Sequence, residues 1–225
     1  MEGVSLGPYA ALLFDMDGTI LTSSAAAERA YAAWARRAGV SEDAVLGYFH
    51  GRRAIDTIRH FAPPSMDVDA EARWLEAYEL EDLQGITAKP GAIRLLNALP
   101  ADRWAVVTSS SQELARKRIA AAGLPFPDYL VSSDDITRGK PDPEGFLRGA
   151  SVLGAEPNHC LVFEDTQAGA HAGFSAGADV VLVAGTHESG DLPVKAVIHD
   201  YERITIRASE SSVWIILGEE KKVPA

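Results

Sequence analysis

Short apolar runs that end abruptly at a polar residue recur along the chain. Tyr9 to Phe14 stops at Asp15, Trp104 to Val107 stops at Thr108, and Tyr129 to Val131, Cys160 to Phe163 and Val180 to Val183 each lead into a polar or glycine-containing turn. These runs are rich in β-branched and aromatic residues and are mostly separated by helical stretches, so they predict strands alternating with helices. That alternation predicts an α/β fold, a Rossmann-like parallel sheet covered by helices on both faces. Ligands of such sheets bind beyond the carboxyl ends of the strands, where Asp15, Thr108 and Glu164 fall.

From about Leu21 to Ala88 the pattern changes and no strand is evident. Ser24 can cap a helix whose apolar face is Ala27, Tyr31, Trp34 and Ala38, with Gly39 as its stop; Ser41 can cap a second, and Asp69 a third running to Gly85. Pro63 and Pro64 break the stretch in the middle. Residues 22–87 therefore read as a helical cap domain inserted into a core made of residues 1–21 plus 88–225. After Val183 the pattern weakens, leaving Ala196 to Ile198, Ile204 to Ile206 and Val213 to Leu217 as late strand candidates, and the charged stretch Glu219 to Lys222 reads as solvated.

Composition narrows the classes of partner. The 225 residues, 47% of them hydrophobic and 24% charged, suit a globular chain with a real core. A net charge of -11 repels polyanions, which argues against nucleic acid or an anionic membrane as partner, so an anionic ligand needs a local cation. No run approaches the roughly 18 apolar residues that span a bilayer, and no signal pattern opens the chain, so a cytoplasmic location and a monomer or weak homodimer are expected. The single Cys160 cannot form an internal disulfide and reads as a buried, inert thiol.

The densest chemical signal is Asp15-Met16-Asp17-Gly18-Thr19. Two carboxylates one residue apart at a strand end, followed by a glycine turn, can converge on one ligand, one as nucleophile or metal ligand and the other as acid and base. Capping of a turn is the plain alternative, and a calcium loop fails because its twelfth position is Ala26. Thr108-Ser109-Ser110 follows a strand and precedes a helix, so hydroxyls and free N–H groups can face an anion. Lys140 sits in the stiff loop Gly139-Lys140-Pro141-Asp142-Pro143 as a fixed point charge. Glu164-Asp165 ends another run and can complete an oxygen shell for a hard cation.

The order, strand-end positions and complementary chemistry of these four motifs resemble the haloacid dehalogenase superfamily, over nearly all of the chain to about Val183 and with a helical insertion after the first motif. The resemblance implies a phosphatase in which Asp15 attacks phosphorus and Asp17 protonates the leaving alkoxide, then activates water. It implies Mg2+ held by Asp15, the Asp17 backbone carbonyl and Asp165 with Glu164 close by, and phosphate oxygens held by Thr108, the Ser109 backbone and Lys140. Dehalogenase members need neither a metal nor an acid at the Asp17 position, so these residues favour phosphoryl transfer.

Local likeness around Glu28 to Gly39, His50-Gly51-Arg52 and Ile86-Thr87 is similar to the sugar-phosphatase branch, which implies a small phosphorylated sugar or polyol as substrate. His50, Gly51, Arg52 and Arg53 are the cap's candidates for contacting it, with a solvated helix junction as the plain alternative. A mutase resembling β-phosphoglucomutase is the second reading, and a phosphoacceptor switch module the reading from another class. His60, His159, His171, His187 and His199 show no metal-ligand spacing and are given no role.

Overall fold

The structure is a computed structural model that describes residues 4–184 and 192–218. In chain order the elements are β1 (Val4–Tyr9), β2 (Ala11–Phe14), β3 (Leu21–Thr22), α1 (Ser24–Ala38), α2 (Glu42–Leu46), α3 (Ala54–Phe61), α4 (Val68–Glu81) and β4 (Thr87–Ala88). Then come α5 (Ala92–Ala98), β5 (Trp104–Val107), α6 (Gln112–Ala121), β6 (Leu130–Val131), α7 (Glu144–Val152), β7 (Cys160–Glu164), α8 (Gln167–Ala176) and β8 (Asp179–Val183). Three strands close the described chain, β9 (Ala196–Ile198), β10 (Ile204–Ala208) and β11 (Val213–Leu217).

Six of these strands form one parallel sheet in the order β6-β5-β2-β7-β8-β9. β2 lies inside it, between β5 and β7, and all four of its residues are buried. Its side chains alternate between two cores: Leu12 and Phe14 enter one, Ala11 and Leu13 the other. Phe14 stacks on Phe163 of β7 at 4.6 Å and meets Tyr201 edge-on at 6.5 Å. The strand that ends at Asp15 is thus clamped by aromatic packing on one face and aliphatic packing on the other.

Helices α1 to α4 gather round a separate core of Tyr31, Trp34, Ile58 and Leu75, and the buried Trp34 indole donates to Glu71 Oε2 at 3.1 Å. At the root of this helical block β3 and β4 pair antiparallel, Leu21 opposite Ala88; two residues per strand are too few for an alternating pattern to be visible in the sequence. The expected caps shift by one or two positions. Ser23, not Ser24, precedes α1, and its hydroxyl is engaged elsewhere, as described below. Asp67, not Asp69, caps α4 through the Asp69 and Ala70 amides, and that helix stops at Glu81 rather than Gly85. Ser41 does cap α2.

The run from Tyr9 to Phe14 is divided by Ala10 between two sheets. β1 leaves the main sheet and pairs antiparallel with β11, which also pairs with β10, giving a three-stranded sheet. Of the late strand candidates, the first joins the main sheet as β9 and the other two form this second one. Cys160 is buried, and burial pushes its thiol up to about 11. His187 and the stretch Glu219 to Lys222 lie outside the described residues.

Candidate active site

The four motifs meet beyond the carboxyl edge of the parallel sheet, around a cavity of about 350 Å3 lined by Asp15, Asp17, Thr108, Ser109 and Asp165 from the strand ends. Asp15 follows β2 and its amide donates to Phe163 O of β7 at 2.9 Å, which carries the sheet ladder one residue past the strand. Gly18 takes φ +87°, and a Cβ there would overlap the Asp165 carboxylate, so only glycine lets the first and last motifs approach. Thr19, buried, donates its hydroxyl to Asp165 Oδ1 at 3.1 Å.

Lys140 reaches under this group from the loop before α7. Its Nζ donates to Asp15 Oδ1 at 2.5 Å, to Glu164 Oε1 at 2.7 Å and to Val107 O at 3.4 Å. The other Glu164 oxygen accepts from the Thr166 amide at 2.8 Å and hydroxyl at 2.9 Å. The lysine loop is tied down in turn: Glu144 accepts from the Thr137 and Arg138 amides at 2.9 and 3.0 Å.

Asp15, Glu164 and Asp165 are all buried, and one oxygen of each lies within 4.8 Å of the others. With every group ionised, three carboxylates against one ammonium would leave this pocket two negative charges in excess. Burial pushes Asp15 well above the usual carboxylate range, Lys140 pulls it down, and Glu164 and Asp165 push it up again. Burial works against the Lys140 charge too, but Asp15 and Glu164 outweigh it and hold the ammonium above its ordinary range. A buried all-oxygen donor set with surplus negative charge fits a hard divalent cation. Among the described residues no histidine belongs to such a group; His60 stacks on Tyr48 at 4.4 Å, while His171 and His199 are exposed.

Asp17 stands apart from that cluster. Its Oδ1 accepts from Ser23 Oγ at 2.6 Å and from Arg118 Nη1 at 3.0 Å, its Oδ2 from Ser110 Oγ at 2.9 Å, and its side chain is 27% exposed at the cavity wall. Thr108, buried at the end of β5, accepts from the Ser110 amide at 3.1 Å. The helix beyond, α6, is capped by Ser111. Ser109 donates its hydroxyl to Gly51 O at 2.9 Å.

That contact brings the helical block onto the core. Gly51 has φ +73°, and a Cβ there would lie 2.6 Å from Thr166 Oγ1, so the turn can seat only because the residue is glycine. His50, Gly51, Arg52 and Arg53 all line the cavity. The His50 ring lies against Phe49 with centroids 4.0 Å apart, and the Arg52 guanidinium lies 4.3 Å over Tyr48. Arg53 is drawn to Asp56 at 2.7 Å and to Ile136 O at 3.3 Å.

A family model described as haloacid dehalogenase-like hydrolase matches residues 9–177. The chain belongs to that family. This haloacid dehalogenase-like hydrolase is 43% identical over 209 residues to hexitol phosphatase A of Escherichia coli K12, covering 91% of this chain and 97% of the other. It is 34% identical over 218 residues to glycerol-1-phosphate phosphohydrolase 1 of Saccharomyces cerevisiae, covering 87% and 84%. Among solved structures, a family IA variant 3 hydrolase of the same superfamily from Entamoeba histolytica superposes with a TM-score of 0.74 at 27% identity, covering 87% of this chain and 95% of that one. These likenesses place the hydrolase among phosphoric monoester hydrolases and remove the reading as a switch module without turnover.

Sequence reasoning missed Arg118, Glu79 and Ser23 around Asp17, and set the Ser110 hydroxyl against a bound anion, whereas it donates to the Asp17 carboxylate. Arg118 lies in Arg116-Lys117-Arg118, which reads as a solvated helix face, and 101 positions separate it from Asp17, so no local pattern points to it. Among the described residues no helix is long and apolar enough to cross a membrane.

Proposed function

We propose that this protein hydrolyses phosphate esters of small sugars or polyols through an aspartyl-phosphate on Asp15, with Mg2+ as its metal and residues 22–87 as the cap over the site. The observation that carries the reading is the placement of Asp15: buried, clamped by Lys140, beside Glu164 and Asp165, and open to the cavity. Asp15, Asp165 and the Asp17 backbone carbonyl would hold the Mg2+, with Glu164 close by. When bound, it supplies the positive charge that lets one anion approach another.

The residues of the chain divide the remaining work. Asp15 attacks phosphorus in line, using an oriented carboxylate whose Oδ1 is anchored by Lys140. Thr108, the Ser109 backbone and Lys140 hold the transferring oxygens as charge spreads onto them. Asp17 gives a proton to the departing alkoxide and later takes one from the water that cleaves the aspartyl-phosphate. The cap wall offers both donors and acceptors, with Arg52, Arg73, Asp69 and Glu76 among the lining residues, a mixture that suits a chain of hydroxyls. His50 and the Gly51 turn close that wall near the core.

A panel of phosphate esters tests the reading, assayed with Mg2+ present or chelated and with Asp15→Asn as control. Phosphate release from hexitol and glycerol phosphates, abolished by chelation and by the variant, is the expected result; conversion of a hexose phosphate to its isomer without phosphate release would replace hydrolysis by the mutase reading.

A further inference from the structure

Arg118 is 3% exposed, although its neighbours Arg116 and Lys117 on α6 are exposed. Burying a guanidinium is costly unless each face finds a partner, and this one spends its partners on two carboxylates. Nη1 donates to Asp17 Oδ1 at 3.0 Å and to Ser110 Oγ at 3.2 Å; Nη2 donates to Glu79 Oε1 at 2.8 Å; Nε is buried without a partner. Glu79 is buried as well and belongs to α4 of the helical block. Desolvation pushes its carboxyl upward while Arg118 pulls it back.

A contact that merely stapled block to core would have no reason to end on a residue of the cavity wall. Here the chain of bonds runs from the block through Glu79 to Arg118 to Asp17, and Ser23 and Ser110 complete the grip on the same carboxylate. Those two hydroxyls can donate or accept, and so tolerate Asp17 in either protonation state; the guanidinium only donates, in a fixed fork, so it sets which way the carboxylate faces.

We propose that Arg118 is a positioning residue that aims the proton-carrying carboxylate of Asp17, and that Glu79 holds Arg118 in place only while the cap sits on the core. The proposal rests on the reading of Asp17 as proton carrier. No charge leaves Arg118: the proton passes from Asp17 to the ester oxygen as the P–O bond breaks and its electron pair stays with that oxygen.

The leaving group supplies a readout that simple loss of packing would not move. An alkoxide needs a proton to depart, whereas 4-nitrophenolate does not, and kcat/KM reports only the steps through the first P–O cleavage. Arg118→Lys should lower kcat/KM for a hexitol phosphate by about 10²-fold and Glu79→Gln by about 10-fold, within the range general acid catalysis supplies. For 4-nitrophenyl phosphate the same variants should lose less than about 3-fold, and the double variant should lose no more than Arg118→Lys alone, because Glu79 acts through it. Equal losses on both esters, or none on either, would overturn the proposal. Asp17→Asn separates the two failures: if it too affects both esters alike, the proton-carrier reading fails; if it is selective and the other variants are not, only the role of Arg118 and Glu79 fails. Should Arg118→Lys not fold by circular dichroism, the isosteric Glu79→Gln carries the comparison.

Discussion

The floor and the roof of the cavity hold charges in opposite ways. On the floor Asp15, Lys140, Glu164 and Asp165 are each no more than 7% exposed and are fixed to strand ends or to a loop tied down by Glu144. On the roof Arg52 and Glu76 are half-buried and Arg73 is exposed, and all three belong to the separately packed helical block. Charge interactions in the low-dielectric floor are strong and leave little room for change, whereas those on the roof are screened by water. The difference teaches where chemistry and where choice of substrate can be altered: a mutation of the buried floor charges strikes the reaction, and a mutation of the water-facing roof charges, unlike the buried Glu79, should move affinity alone.

The most severe test of that contrast is Asp15→Asn, which keeps the shape of the floor and removes its nucleophile. Turnover should fall by more than roughly 10⁴-fold with substrate binding retained, checked by initial rates and by titration calorimetry. Next comes Lys140→Met, which leaves buried carboxylates without their counter-ion: stability should drop by about 3–5 kcal/mol in urea denaturation, and turnover with it. Arg52→Ala on the roof should raise KM by about 10-fold with kcat almost unchanged, and cost less than about 1 kcal/mol, the loss of its contact with Tyr48. A large fall in kcat for this variant would erase the distinction between the two walls.

The smallest effect concerns the loop that presents Lys140. Hydrogen bonds from the Thr137 amide and hydroxyl and the Arg138 amide hold the Glu144 carboxyl at about 2, below its ordinary 4.5. A depressed carboxyl contributes stability that is fully present above its unfolded value and is lost as pH falls through the folded one. Glu144→Gln should therefore lower Tm slightly at neutral pH, and its difference from wild type should shrink between pH 4.5 and pH 2, as thermal melts across that range would show.

How much of this was legible in the sequence follows the same division. The strand-end motifs announce themselves because a buried strand is a local apolar run and its last residue a local interruption; β5 matches its apolar run to the residue. The helices of the block were legible as amphipathic stretches, but their caps were not placed to the residue, since Ser23 and Ser24 or Asp67 and Asp69 offer nearly equal local chemistry. The grip on Asp17 was invisible because it joins α6, α4 and two loops that only folding brings together. Tyr201 was equally hidden: it is buried against Phe14 and Phe163, and its hydroxyl donates to Thr19 O at 3.2 Å, a contact across 182 positions.

The pairing of β1 with β11, Val4 opposite Leu217, joins the first and last strands of the described residues. During synthesis β1 leaves the ribosome long before its partner exists, so the nascent chain carries an unpaired strand edge until β11 has been made. Only when residue 217 emerges is that edge covered. A ribosome-stalled chain ending before Val213 should consequently present β1 to other strands, and a chaperone that binds extended apolar segments would find its opening there.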